Sequence, residues 1–548
     1  MPEALNAQPT LLIAYPTFYG YLLYSVLGLP GTILSPSVVV RSAVVCLWAI
    51  RFVLTYLAAR ALMQQRLIPL TIACLVSWET YALTNLYNRS ALTELFATGL
   101  LTSVLCLLIL IVRTGDSRVR AGYTFAAGIA VSLGAMSHPI TAVFGALFLT
   151  PLCSVAAAVA VSIPHARRDV GRLAASLLSV VVFGLLVSAP WVYATMSFSS
   201  VLKISSKESL AAVALFPHSI DAVLSRFSPI PLDTRSLAKG LAVSTPYLDA
   251  QVNMPLLLLL AFMIGAGYSR TCRVNGSVAR LQSDRAGTIL LWTSVALFAV
   301  ATVASLSAKV YGYAPGLRII QFPYRMVTYQ NLALLAATFA QLLRIRCDTS
   351  TSQWCVVLTA CLTLAATGVM VKFAHVFAVM KTVDQRMPYR VDPADPSEYL
   401  RMPRTFYGPH AYTLNTPVRT PAQQNIGHVS FEVGKGTSFG VVQRRLVTVD
   451  APTWVTTNVA LSPWNEILID GTRAVLHTFD GVHAALRVPA GTHVAGARFA
   501  PDQTFVVLRR LSNSAFLLWV CGAAVWCLSP ITRRTQVSNR SGRMQSKP

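Results

Sequence analysis

The sequence predicts a multi-pass α-helical membrane protein of about eleven transmembrane helices, with an external C-terminal antiparallel β-sandwich placed before the last helix. Three observations carry that expectation. Hydrophobic residues make up 54% of the 548-residue chain and charged residues only 12%, with mean hydropathy +0.56, more apolar surface than a water-soluble core can hide. Apolar windows of roughly 20 residues, the length needed to cross about 30 Å of hydrocarbon, recur along the chain. Between residues 425 and 510 the pattern changes to short alternating runs separated by turn residues.

The first apolar stretch, residues 11–29, contains Pro16, Gly20 and four tyrosines and reads as an interfacial or broken helix. Spanning windows then lie near residues 38–62, 67–84, 91–112, 121–137, 139–161, 173–194, 252–268, 287–307, 324–343, 353–379 and 512–530. The formal charge of +24 raises the question of nucleic acid, but the basic residues punctuate apolar runs instead of forming a stripe, which speaks against that partner.

Arginine and lysine collect in every second loop. Arg60 and Arg66, then Arg113, Arg118 and Arg120, then Arg167, Arg168 and Arg172 alternate with charge-poor connections. The series continues with Arg270, Arg273, Arg280 and Arg285, with Arg344 and Arg346, and with the tail carrying Arg533, Arg534, Arg540, Arg543 and Lys547. Positive charge is retained on the cytoplasmic side, so these loops predict a cytoplasmic tail and place residues 195–251, 308–323 and 380–511 outside. The first of these external stretches fits either amphipathic interfacial helices or a plain connecting loop.

The expected division is a helical membrane domain over 1–379, a Pro-rich external connector over 380–424, a β-sandwich over 425–510, a final transmembrane helix over 511–531 and a basic tail over 532–548. Candidate strands are VSFEVG, FGVVQRRLVTVD, WVTTNVAL, EILID, TRAVLHTF, AALRVPA, HVAGARFA and TFVVLRR. Asp470-Gly471 predicts a tight hairpin because glycine accepts the positive φ such turns demand. Asp480-Gly481 and Pro489-Ala490-Gly491 mark further turns.

Most cysteines lie in apolar runs without CxxC or Cys/His spacing, and read as small buried hydrophobes with no disulfide or zinc framework. The start, MPEALNAQPT, lacks the basic region and cleavage site of a signal peptide. His477, His483 and His493 have no ligand spacing, and no P-loop, GxGxxG or GxSxG motif is present, so neither a metal nor a cofactor is expected.

Ionisable residues inside apolar windows cost several kcal/mol unless paired or wetted, which makes them leads. Arg51 lies near the middle of its window and is expected to face a cavity or a carboxylate such as Glu79. Glu79, Arg89 and Glu94 are expected in the outer part of the membrane, either in one polar site or with Glu94 complementing a helix N-terminus behind a Ser90 cap. Lys309, Arg318 and Arg325 fall on the outer side among Tyr311, Tyr313, Phe322 and Tyr324. That cluster suits an anionic headgroup, whether of ordinary membrane lipid or of a polyprenyl phosphate. His138, before Pro139, either bonds a ligand or caps helix-end carbonyls.

The segment Leu86-Tyr87-Asn88-Arg89-Ser90-Ala91-Leu92-Thr93-Glu94-Leu95-Phe96-Ala97 resembles the bacterial membrane proteins called 6-pyruvoyl-tetrahydropterin synthase-related, which look like the GT-C glycosyltransferase class. Tyr15-Pro16-Thr17-Phe18-Tyr19, Ser137-His138-Pro139 and Gln321-Phe322-Pro323-Tyr324-Arg325 fall in the same order, and SPWNEILIDGTRAV with VPAGTHVAGARFAPD is similar to the external sandwich of YfhO-like membrane proteins. The resemblance covers most of the chain and implies a GT-C-like protein of the bacterial cytoplasmic membrane with a periplasmic or extracellular sandwich. It further implies a polyprenyl-phosphate-linked sugar as donor and an envelope glycan or lipid as acceptor. Glu79 and Glu94 are the candidate catalytic carboxylates, and Arg51, Arg89, His138, Lys309, Arg318 and Arg325 the candidate substrate-binding groups. GT-C enzymes open with a transmembrane helix and an acidic residue in the first external loop, whereas the first ten residues here offer only Glu3. A start downstream of the natural one and an inactive natural form both fit, as do two other functions, a transporter or flippase and a noncatalytic scaffold.

Overall fold

A computed structural model describes residues 22–63, 65–88, 91–162, 167–199, 224, 226–230, 250–271, 278–307, 310, 323–345, 351–386, 427–429, 431, 443–460, 464–477 and 483–528. The helices over these residues are α1 (Leu22–Gly31), α2 (Pro36–Leu62), α3 (Leu67–Ser77), α4 (Thr80–Leu83), α5 (Leu92–Arg113), α6 (Ser117–Ala135) and α7 (Pro139–Ser162). They continue with α8 (Arg167–Ser199), α9 (Met254–Thr271), α10 (Val278–Leu306), α11 (Val327–Leu342), α12 (Thr351–Arg386) and, after the strands, α13 (Gln503–Leu528). Each expected spanning window falls mainly on helical residues over its described part, the 67–84 window on a helix that is broken at Glu79. Among the described residues seven spans, not eleven, are long and apolar enough to cross a membrane by length and composition: Pro36–Leu62, Leu67–Leu86, Leu92–Arg113, Gly171–Ala194, Arg285–Leu306, Gln353–Ala374 and Gln503–Cys527. Helix α1, ten residues with Pro30 inside it, is far shorter than a span.

Local sequence sets several boundaries. Pro opens α2, where its missing N–H has no intrahelical role, and Asp116 caps α6 by accepting from the N–H groups of Arg118 and Val119. Among the exceptions is the span Leu67–Leu86: α3 ends at Ser77, Glu79 has extended φ/ψ (−62°, 121°), and the chain re-enters helix through α4 and a π-helical turn over Thr84–Asn88. Irregular backbone at that depth needs side-chain partners in place of water.

Helix α11 is the hub, with all sixteen of its residues buried. Its apolar side chains pack into one cluster with those of α2, α3, α5, α9 and α10. A second contact fixes α13 against α6 and α8. Gly128 lets α6 approach so closely that a Cβ there would lie 2.6 Å from the Trp519 indole, the small-residue seam by which membrane helices pack. Trp519 stacks on Phe183 at 4.1 Å between centroids, its indole N–H donates to the Phe125 carbonyl at 2.9 Å, and that of Trp526 donates to the Arg118 carbonyl at 3.0 Å. Away from these seams the helices present apolar side chains with no protein cover, such as Leu185 at 67% exposed and Leu518 at 72%, a surface suited to acyl chains and not to water.

Two pairs of helix ends that adjoin basic loops meet. Arg113 Nε donates to the Ala61 carbonyl at 3.2 Å, and Gly287 near the start of α10 abuts Arg344 just past the end of α11.

The C-terminal β region holds two sheets, one of order β1-β3-β6 and one of order β2-β7-β4-β5. The strands are β1 (Gly427–Val429), β2 (Gln443–Val449), β3 (Thr453–Ala460), β4 (Asn465–Ile469), β5 (Thr472–Arg473), β6 (His483–Val488) and β7 (Gly491–Phe499). Val455, Val459, Leu486 and Val488 of the first sheet share a core with Val447, Ile467, Ala495 and Ala497 of the second, so the inward alternate residues of each sheet face the other. Asp470 (φ 49°) and Gly471 (φ 83°) form the expected two-residue hairpin between β4 and β5.

Three expectations need correction. The β1–β3 pair is parallel, so the sheets are not wholly antiparallel. Of TRAVLHTF, the described residues form a strand at Thr472–Arg473, add the Ala474 N–H bond to the Ile467 carbonyl and make one bridge at His477. TFVVLRR is helical, because Asp502 accepts the Phe505 N–H at 2.8 Å as an N-cap and starts the final helix at Gln503, ahead of the expected 511. Asp502 also accepts from the Tyr193 hydroxyl at 2.7 Å, and Phe505 packs on Trp464, tying the sheets to α8. The 387–424 part of the expected connector, Asp480-Gly481, the tail and most of 195–251 and 308–323 lie outside the described residues.

On the sandwich, His493 Nδ1 lies 2.6 Å from Asp470 Oδ2. The bond to Asp470 raises the imidazole above its ordinary 6.5, and the bond to His493 lowers the carboxyl below its ordinary 3.8. The raised imidazole contributes stability fully below 6.5 and loses it as pH rises through the folded value, whereas the lowered carboxylate contributes above 3.8 and loses it as pH falls through its own. Thermal unfolding of wild type and His493→Ala should therefore differ more at about pH 5.5, between the two ordinary values, than at a pH well above the folded value of the imidazole. An equal gap at both would show that the charge on the pair contributes nothing.

Candidate functional site

Two buried ion pairs occupy the helical domain side by side. Arg51, near the middle of α2, donates through Nη2 to Glu79 Oε2. Asn331 of α11 donates its amide to Glu79 Oε1, so both carboxylate oxygens are engaged. Asn331 in turn accepts from the Asn253 N–H at 2.8 Å, and the Asn253 amide donates to the Leu75 carbonyl at 2.9 Å, near the end of α3. Four elements thus brace the helix break at Glu79, supplying the partners that unwound backbone lacks in hydrocarbon.

A cavity of about 20 Å³ adjoins this network, lined by Arg51 and Glu79, by Thr98 and Thr102 of α5, and by Asn253, Thr328 and Asn331 among others. That volume holds about one water. Arg51 is 6% exposed, and its Nε has no hydrogen-bond partner among the described residues. Such a donor is costly in a buried site unless a water or ligand in the adjoining cavity satisfies it.

The second pair joins Arg325, in the 3₁₀ turn Pro323–Met326, to Glu94 in the first turn of α5, at 3.2 Å. The Tyr81 hydroxyl, two residues past Glu79, donates to Glu94 at 2.7 Å. Thr98 lies one turn along α5 from Glu94 and Thr328 one turn past Arg325, and both threonines line the cavity beside Arg51 and Glu79, so the second pair adjoins that cavity.

The expected Arg51–Glu79 contact is therefore present. The shared site expected for Glu79, Arg89 and Glu94 is resolved differently: Glu94 does not line the cavity and pairs with Arg325 and Tyr81. Arg325, read from sequence as a receptor for an external anion, has its charge met by Glu94, since its side chain is only 12% exposed. Ala91, and not Ser90, holds the N-cap position of α5, without a side-chain cap bond. His138 stands apart from both pairs. Its Nδ1 lies 2.8 Å from the Thr141 hydroxyl and accepts the Thr141 N–H at 3.4 Å, capping helix-start donors instead of carbonyls. Arg89, Lys309 and Arg318 lie outside the described residues.

Asn253, Asn331, Tyr81 and the cavity threonines were not singled out in the sequence. Their signal was there, as amides and hydroxyls within apolar windows, but uncharged polar residues in membrane helices are common enough to blur it. Lys372, wholly buried in α12, and Arg226, buried with its guanidinium donating to the Ser305 carbonyl at 2.8 Å, were also missed. No group of three or more His, Cys, Asp or Glu side chains converges among the described residues.

Among the described residues the chain is mostly helical, with seven helices long and apolar enough to cross a membrane and a folded β region ahead of the helix Gln503–Leu528. No family model, curated protein or solved structure matches the chain.

Proposed function

We propose that this chain is a GT-C-like protein of a bacterial cytoplasmic membrane that binds a polyprenyl-phosphate-linked sugar and transfers the sugar to an envelope glycan or lipid. In this reading all eleven windows span, the basic helix ends face the cytoplasm, and the sandwich lies outside to orient the acceptor. The observation that carries it is Glu79, a carboxylate at a helix break within a membrane-length span, set beside a polar cavity and a buried guanidinium. Glu79 takes the proton of the acceptor hydroxyl, whose oxygen forms the new bond to the anomeric carbon. The bond from that carbon to the phosphate oxygen breaks, its electron pair leaves with the polyprenyl phosphate, and Arg51 offsets the charge that develops there.

Glu79→Gln is expected to lower sugar transfer by about 10²–10⁴-fold, the usual loss on removing a general base. Purified full-length protein, incubated with a radiolabelled polyprenyl-phosphate sugar and membrane glycan, checks this. A wild-type chain that transfers no sugar from any such donor would remove the enzymatic reading.

A second reading, transport of a lipid-linked or anionic substrate, is favoured by the discontinuity of the Leu67–Leu86 span at Glu79, since transporters bind substrates at unwound membrane helices. Proteoliposomes that carry intact substrate across the bilayer would select it over transfer.

A further inference from the structure

The two oxygens of Glu79 are already occupied, one by Arg51 and one by Asn331. A carboxylate in that state keeps only the second lone pair of each oxygen for the proton of an incoming hydroxyl. The cavity beside it, about 20 Å³, is far too small for a phosphate group or a sugar. The structure therefore holds the site closed. Of the two partners, the Asn331 amide is neutral and anchored in turn by the Asn253 N–H, so an anion gains little by competing for it. Arg51 differs on both counts: it is cationic, and its Nε is not anchored by any acceptor among the described residues. A guanidinium exchanges one oxyanion for another with little loss, because its planar fork fits carboxylate and phosphate oxygens alike.

We propose that the Arg51–Glu79 pair is a latch worked by the substrate: a phosphate group takes Arg51 from Glu79, and only then does the Glu79 carboxylate become free to act as a base. This rests on the transferase reading for the role of Glu79, and adds that phosphate binding and release of the base are one event. The shared chemistry of the ligand is a phosphate oxyanion, either on a lipid carrier or free in solution. Thr98, Thr102 and Thr328 line the space into which it enters. The Thr98 and Thr102 hydroxyls donate to the Leu95 and Thr98 carbonyls here and must turn from them to meet a phosphate oxygen. The helix break at Glu79 is where widening costs least, because the backbone bonds that would hold a continuous helix are already absent there.

The latch makes a prediction of unusual sign, since Glu79 competes with the ligand for Arg51. Removing its charge should strengthen binding, because the seat no longer has to be opened. The full chain in phosphatidylcholine nanodiscs is titrated with farnesyl phosphate and, separately, with inorganic phosphate. Glu79→Gln is expected to bind farnesyl phosphate at least about tenfold more tightly than wild type, and the double variant Arg51→Met/Glu79→Gln, which leaves no buried charge unpaired, to lose that gain. Unchanged or weaker binding in Glu79→Gln would overturn the latch, as would tight binding that persists in the double variant. Farnesyl phosphate binding well above inorganic phosphate assigns the seat to a lipid carrier, whereas equal affinity for the two overturns that assignment. If Glu79→Gln tightens binding but wild type transfers no sugar, the latch stands and the transferase reading fails.

Discussion

Replacing Arg51 by Met is expected to destabilise the helical domain by about 3–5 kcal/mol, the cost of leaving a buried carboxylate without its counter-charge. Glu79 is 8% exposed and stands at a helix break, so it cannot turn to water without dismantling the network that closes that break. Asn331 remains bonded to the other oxygen but brings no charge to neutralise it. Adding Glu79→Gln in the same chain should restore most of the loss, because a neutral amide can still bond Asn331 and demands no cation. Thermal unfolding of the four chains of this cycle in one detergent measures the coupling directly. Equal destabilisation of the single and double variants would mean that packing of the arginine stem, and not the ion pair, sets the cost.

The second large effect falls on the far side of the bundle. Trp519→Ala is expected to cost about 3 kcal/mol, at the low end for a large aromatic because the ring is only partly buried. It removes the stack on Phe183 and leaves Gly128 lining a gap. The consequence reaches the β region, because α13 begins at Asp502, which is bonded to Tyr193, and Phe505 packs on Trp464. Limited proteolysis should release a C-terminal fragment from Trp519→Ala more readily than from wild type. Gly128→Ala tests the same seam from the other helix: its Cβ would meet the indole at 2.6 Å, an overpacking that costs about 1–3 kcal/mol. Introducing that alanine beside Trp519→Ala should then cost much less than it does beside the native tryptophan.

The helices were legible because hydrophobicity is a one-dimensional signal: the windows read as spanning fall mainly on helical residues, though the break at Glu79 within 67–84 was not foreseen. The Asp470-Gly471 hairpin was legible for a related reason, since a positive φ at two successive positions is a strictly local demand. Arg51 could be read as needing a partner because a guanidinium in the middle of a 27-residue apolar helix has no other way to be tolerated. Glu94 and Arg325 misled, since each looked available on its own, and their pairing spans two distant segments of the chain. The start of α13 was misread because TFVVLRR is rich in β-branched residues, and the cap and packing that override that preference come from Asp502, Tyr193 and Trp464.

Composition and periodicity by themselves determined that the chain forms long apolar helices, carries a strand-rich region near its C-terminus, and must neutralise a few charges among the helices. These depend on how each residue and its near neighbours partition between water and hydrocarbon. Only the tertiary structure decided which charges meet, that Asn331 and Asn253 complete the network at Glu79, and that the break in the Leu67–Leu86 span lies beside a closed cavity. Those follow from which helix faces approach across α11. A packing choice of that kind is settled by close fit and by satisfied polar groups among distant segments, and no local stretch of sequence contains it.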